Sequence, residues 1–312
     1  MMFALRGAMV ALGFFGVVYC ILSLLVVCAW RCVNLLRRKS AIGPAHLLFA
    51  LRIFPLVGSA FITLVFALPA FFRLESGVID EDIGTFVFTI CTVLLLVAGL
   101  FRVLTAQIGA SRVVGDWLEG AHVLDTGAGV QTLQTQPGPP PLLLYGVSNP
   151  KVLVSEAAIS RLSPDELRVA VQHEIGHVRS RDNLKKLILH AAAFPGMKSL
   201  DRAWQEAAEF SADESAVSNS DDAIDLAAAL LKLADLVPLQ DPPAFTTGLV
   251  DLTALVKLRV ERLLAWDETS ARSVQLRWWC FLLLFLASVP YAVAHYGQAL
   301  LFTHRATEWF VR

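Results

Sequence analysis

Long uncharged stretches flank a polar middle along this chain, and that pattern divides it before any motif is considered. Residues Gly7 to Trp30 carry no charge, and neither do Ile53 to Phe72. Each is long enough for a helix across the hydrocarbon core, which takes about 20 apolar residues. Pro55 and Pro69 should bend the second of them. Gly84 to Phe101 is shorter but rich in Val, Leu and Phe, and Trp278 to Phe302 is interrupted only by Pro290 and His295. The pattern predicts four membrane-spanning helices, three before the polar stretch and one after it. A cleaved secretory signal is a poor account of the first, because its apolar run is too long and no small-residue cleavage site follows; it is expected to be a retained anchor.

Within the polar middle, Thr135 to Pro141 reads TQPGPPP, which supports neither a helix nor a central strand and marks a loop. Two short apolar runs follow, Leu142 to Tyr145 and Lys151 to Val154, separated by Gly146 and Ser148-Asn149-Pro150. They predict a small hairpin or two edge strands. At Ser163-Pro164-Asp165-Glu166 a serine can cap, a proline takes the first helical position, and a glutamate sits three residues after the cap. A helix should start there. Leu167, Ala170, Val171 and Ile175 recur at helical spacing and carry it through His177. Further helices are expected over Asp201 to Val217, Asp222 to Leu236 and Leu249 to Trp266, with no internal repeat.

Composition agrees with a membrane protein: 56% of residues are hydrophobic, 17% are charged, and the mean hydropathy is +0.60. The net charge of −1 says nothing about nucleic acid, but no basic stripe interleaved with aromatics is present, so no nucleic-acid partner is expected. The lipid bilayer is a partner by default. Cys20, Cys28, Cys32, Cys91 and Cys280 lie in or beside the apolar spans without metal-ligand spacing, and read as small buried hydrophobes. Charge also orients the chain. The first connection carries Arg31, Arg37, Arg38 and Lys39, whereas the second has Arg73 against Glu75, Asp80, Glu81 and Asp82. The positive-inside rule makes the first connection cytoplasmic, the N-terminus external, and the stretch from Arg102 to Arg277 cytoplasmic, in an inner (cell) membrane. The expected division is residues 1–105 for three spans, 106–275 for a cytoplasmic domain, and 276–312 for the fourth span and a short external tail.

The helix that begins at Ser163 contains His173-Glu174-Ile175-Gly176-His177, the H-E-x-x-H arrangement of zinc peptidases. Residues four apart share a helical face, so both imidazoles can reach one ion while Glu174 reaches the water beside it. Zinc lowers the pKa of that water to about 7 and polarises a scissile carbonyl; the carboxylate takes the proton and passes it to the leaving amine. Glu174 is thus expected to be a base and then an acid, and not a ligand.

A second acidic helix follows, reading Glu206-Ala207-Ala208-Glu209-Phe210-Ser211-Ala212-Asp213-Glu214. Glu209 can supply a third ligand, leaving one open position for water, although Glu206 and Glu214 are alternatives at this level. Asp213, one turn on, can accept the other ring N–H of a ligand histidine. The fold class predicted is a mainly α membrane protein in which a zincin-like α+β metallopeptidase domain sits between the third and fourth spans. Its cofactor is one zinc per chain, and its substrate is a protein or peptide. His46, His122, His190, His295 and His304 lack spaced partners; His46 and His304 border spans, His122 lies in a loop, and His190 is expected to be packed. Arg181-Asp182 is expected to cap the next helix, with tying the site together as the alternative.

From Leu144 to Leu264, through LYGVSNPKVLVSEAAISRLSPDELRVAVQHEIGHVRSRDN, EFSADESAV and VKLRVERLL, the chain resembles the BlaR/MecR-type membrane zinc metallopeptidases, an antirepressor family that includes beta-lactam receptors. The resemblance implies zinc on His173, His177 and Glu209, Glu174 as base, Asp213 as the aspartate of a Glu-x-x-x-Asp element, and cleavage of a cytoplasmic repressor after an external signal. The chain stops shortly after the fourth span, without the penicillin-binding sensor domain of such receptors, so beta-lactam sensing does not carry over. The HtpX and prenyl-protease type of quality-control peptidase shares both motifs and is the alternative; three preceding spans and the NPKVLVSEAAISRLSPDEL lead-in stand against it. A catalytically silent membrane transducer is a further alternative, which the intact Glu174 opposes.

Overall fold

The computed structural model describes residues 2–36, 44–74, 83–124, 129–136, 140–236, 252–266 and 295–311. Three long apolar helical stretches come first: α1 (Met2–Leu36); α2 (Ala45–Ile62), running through a π-helical turn at Thr63–Ala67 into α3 (Leu68–Leu74); and α4 (Ile83–Leu118). Among the described residues, Phe3–Leu35, Ala45–Arg73 and Ile83–Leu118 are long and apolar enough to cross a membrane. Leu24, Phe61, Leu94 and Leu100 point outward and are more than half exposed, the surface of a lipid-facing helix rather than a water-facing one. Of the expected fourth span, 278–294 lie outside the described residues, and its end falls in a C-terminal helix, labelled α11 below, at Tyr296–Val311.

Both prolines of the second span sit inside helix without ending it. Pro69 has no N–H to give the carbonyl four residues back, at Val65. The Tyr296 hydroxyl, from the C-terminal helix, donates to that oxygen at 3.0 Å, so a neighbouring helix satisfies what the proline frees. The cysteines depart from expectation: Cys28, Cys32 and Cys91 are exposed on outward helix faces and Cys20 is half-buried, while Cys280 lies outside the described residues. In an apolar solvent the outward face need not be polar, so burial does not follow from hydrophobicity there.

The last turns of α4 leave the apolar bundle and lead into a four-stranded mixed sheet: β1 (His122–Leu124), β2 (Gln131–Thr135), β3 (Leu142–Tyr145) and β4 (Lys151–Ser155). The spatial order is β1-β2-β4-β3, with β2 and β4 parallel and the outer pairs antiparallel. β3 and β4 form the expected hairpin, and His122 belongs to an edge strand rather than a loop. Both faces of the hairpin are covered, which explains its unbroken apolar runs. Leu142, Leu144, Val152 and Val154 pack on the helices of the domain, whereas Leu133, Leu143 and Leu153 pack on Val114 of α4.

The helices of the domain are α5 (Glu156–Arg161), α6 (Pro164–Arg179), α7 (Asp182–Ala191), α8 (Lys198–Ala216), α9 (Ser220–Ala234) and α10 (Leu252–Leu264), followed by the C-terminal α11 (Tyr296–Val311). α6 crosses between α8 and α9 above the sheet face formed by Leu142 and Leu144, and α10 lies on α9. α8 carries the other large contact. Its Leu200, Trp204, Ala207 and Ala208 share one core with Val26, Val27 and Trp30 of α1 and Leu48 of α2.

Candidate metal centre

α6 starts as its sequence predicts. Ser163 accepts from the Glu166 amide, and the Glu166 carboxylate accepts from the Ser163 amide at 2.8 Å, a complete capping box. Lys232 of α9 also donates to Glu166, at 2.7 Å, so the first turn of α6 is tied to its neighbour. One face of α6 then presents His173, Glu174 and His177, all buried. Gly176, between them, is where α6 crosses α8. A methyl group there would meet Ser215 Oγ and stand 3.2 Å from Ala212 Cα, so only glycine lets the two helices approach this closely.

That approach brings Glu209 of α8 to the histidines. Its carboxylate oxygens lie 3.5 Å from His173 Nε2 and 3.6 Å from His177 Nε2, and one ligand atom from each of the three residues falls within 4.8 Å of the others. The two rings stand perpendicular, their centroids 4.9 Å apart. Each histidine is oriented from behind. Asp213 Oδ1 is 3.0 Å from His173 Nδ1, and Asp182 Oδ2 is 2.8 Å from His177 Nδ1. A carboxylate only accepts, so each Nδ1 carries a hydrogen, and Nε2 is the nitrogen that each ring turns toward Glu209.

These residues fit a metal ion. His177 Nε2 is fully buried and makes no hydrogen bond among the described residues. Leaving such a group unsatisfied costs about 1–3 kcal/mol, which a cation at that nitrogen removes. Two imidazoles and one carboxylate are the donor set of a catalytic zinc site. The adjoining cavity, about 40 Å³, is bounded by Leu142, Ala170, Leu226, Ala229, Leu230 and Leu233 beside His173, Glu174, His177 and Glu209. It has room for an ion and water.

Asp182 reaches His177 through an unusual turn. Arg181 adopts φ 53°, the left-handed region that an arginine rarely enters, and this reverses the chain between α6 and α7. Arg181 makes no capping bond, and Asp182 is the first residue of α7 rather than its cap. The expected capping role is therefore replaced by the alternative for Asp182 alone, which ties the site together through His177, with Lys185 holding its other oxygen at 3.0 Å. His190, expected to be packed, is exposed.

The largest addition to the expected constellation is Arg259 of α10, buried to 2% exposure. It donates from Nε and Nη2 to both Asp213 oxygens, at 2.8 and 2.6 Å, and its Nη1 lies 3.0 Å from Glu209 Oε2. One guanidinium thus bridges the candidate third ligand and the residue that orients His173. Burial alone would raise the Glu209 carboxyl, but the Arg259 charge, with both histidines, holds it well below its usual range. Asp213 is lowered in the same way against its burial. His173 is pushed up to about 9: burial and Arg259 pull it down, and its bonds to Asp213 and Glu209 outweigh them. Lys186 of α7 is lowered by burial, against the charges of Glu209, Asp182 and Glu174.

A sheet edge beside a capped H-E-x-x-H helix, an acidic helix packed across it and apolar helices long enough to span a bilayer point to a membrane-associated metallopeptidase. The chain belongs to peptidase family M48, whose sequence profile matches residues 144–308, from β3 through the C-terminal helix. No curated protein matches it.

Proposed function

We propose that this protein is a zinc-dependent endopeptidase that cuts a protein at or near the membrane surface, with one zinc per chain on His173, His177 and Glu209. The observation that carries the reading is the convergence of three ligand atoms within 4.8 Å, with Glu174 lining the same small cavity. A bound zinc ion supplies Lewis acidity to a scissile carbonyl and acidity to a water. The chain's own groups do the rest. The Glu174 carboxylate takes the proton of the attacking water and delivers it to the leaving amide nitrogen. Asp213 and Asp182 hold the two rings with Nε2 forward, and Arg259 holds the Glu209 oxygen that faces His173. Leu226, Ala229, Leu230 and Leu233 of α9 form an apolar wall beside these charges.

Two substrates suit this site. In the regulatory reading, supported by the resemblance to antirepressor peptidases, the substrate is a cytoplasmic protein such as a transcriptional repressor. In the quality-control reading it is a damaged membrane protein. The second gains from the position of α7, whose far end is buried against Tyr19 of α1 and Arg52 of α2, so that the site stands one helix of ten residues, about 15 Å, from the apolar bundle. On either reading the catalytic domain is cytoplasmic and the N-terminus external, which the four basic residues of the first connection support.

The test uses the full chain in detergent or vesicles. Cleavage of a candidate repressor or of an unfolded membrane protein should stop with a chelator and return with zinc. A reporter fused near Gly115 should be active on the cytoplasmic side. Cleavage indifferent to chelation overturns the enzyme class, and a reporter active only outside overturns the orientation and the cytoplasmic substrate.

A further inference from the structure

The turn between α7 and α8 joins the two halves of the metal site, and it is gripped by the membrane helices rather than by the peptidase domain alone. Ala192, which closes α7, offers its carbonyl to two donors: the Tyr19 hydroxyl at 3.0 Å and Arg52 Nη2 at 3.1 Å. Arg52 Nε also donates to Asp201, in the first turn of α8, at 2.6 Å. Trp30 Nε1 donates to Ser199 at 3.1 Å. Gly196, in the turn itself, has φ 89° and lies against the Val27 side chain. The turn is thus moulded to α1 and α2 from several sides.

Arg52 is the odd member of this junction. It lies on the second apolar span and is 2% exposed. A charge buried in such a helix is expensive and is retained where it does a task that an apolar side chain cannot. Here the task is geometric. The α8 face made by Leu200, Trp204 and Ala208 meets α1 and α2 through apolar contacts, which resist separation but not sliding. A guanidinium that bonds the end of α7 and the start of α8 together, with fixed directions, sets that register. Glu209 is carried on the same rigid helix, eight residues or about 12 Å beyond Asp201. Metal–ligand distances at a formed site hold to within about 0.2 Å of their ordinary values. A small slide of α8 therefore reaches the site.

We propose that Arg52 is a positioning residue: from the second membrane span it fixes the α7–α8 turn and, through α8, sets where Glu209 stands relative to His173 and His177. This rests on the reading of Glu209 as the third ligand. It also makes the arrangement of the membrane helices a determinant of metal affinity.

Arg52→Met should fold, because the Asp201 side chain it leaves behind is 30% exposed and can hydrate. Zinc affinity, measured by chelator competition on the full chain, should fall by between about twofold and thirtyfold, the range for residues that act through packed contacts. The visible spectrum of the cobalt-loaded protein should change with it. Arg52→Lys keeps the charge but not the fork, and should recover part of the affinity; Asp201→Asn should lose part. Leu133→Ala, on the sheet face turned to α4, supplies the control: a lower unfolding midpoint with parental zinc affinity and cobalt spectrum. A parent that holds no zinc overturns the site reading and this proposal with it. A parent that holds zinc, while Arg52→Lys and Asp201→Asn match its affinity and spectrum, overturns the positioning role alone.

Discussion

Replacing Glu174 by Gln is expected to leave zinc content and the unfolding midpoint at parental values while lowering peptide cleavage by about 10²- to 10⁴-fold, the contribution of a positioned proton acceptor. The amide is nearly isosteric with the carboxylate, so the cavity wall keeps its shape. It cannot take the proton of the attacking water. Glu174 also lies outside the group of His173, His177 and Glu209 whose donor atoms converge, so its loss should not release the ion. Asp213→Asn should behave differently. It weakens the grip on His173 Nδ1 and on Arg259, and an outer partner of this kind is worth roughly 10- to 100-fold in metal affinity or activity. Measured side by side, the first variant loses rate at constant zinc and the second loses both, the rate returning in excess metal. If Glu174→Gln cleaves as fast as the parent, the assigned base and the peptidase reading both fall.

What the sequence made legible follows from how local each signal is. The three apolar spans and the α6 cap are written in consecutive residues; each uncharged run lies inside a helix, but the helices run further, the second starting at Ala45 rather than Ile53 and the third ending at Leu118 rather than Phe101. The His173, Glu174 and His177 face needs only the pitch of one helix, whereas on the second acidic helix pitch leaves Glu206, Glu209 and Glu214 open and the resemblance points to Glu209. Features set by distant pairing were silent. β2 reads Gln-Thr-Leu-Gln-Thr, with little apolar alternation, and becomes a strand because β4 pairs with it in parallel twenty residues later. α7 begins after a left-handed arginine that no propensity argument would place there. Arg259 sits in an amphipathic helix beside Lys257, Glu261 and Arg262, where a charged residue ordinarily reads as solvated. Only the fold shows that this one of the four turns inward. Arg52 was hidden in the same way, as one charge at the edge of an uncharged run.

The other large effect concerns the ion itself. His177→Ala should abolish stoichiometric zinc binding, because it removes a ring whose buried Nε2 has no hydrogen bond among the described residues and leaves two donors where a catalytic site uses three. The fold should survive. Asp182, which loses its histidine, keeps Lys185 at 3.0 Å, and neither the α6 cap nor the Gly176 crossing is touched. Asp182→Asn separates ligand from support: it retains the ring but weakens the bond that orients it, so zinc affinity should drop by only about 10- to 100-fold. Zinc analysis after dialysis reads the difference directly. A second readout is thermal. A ligand at 100 times its dissociation constant stabilises the folded state by about 2.7 kcal/mol, so zinc should raise the midpoint of the parent, raise that of Asp182→Asn less, and leave His177→Ala unmoved. A His177→Ala protein that keeps its zinc and its midpoint shift would remove this histidine from the ligand set, and the three-donor cluster with it.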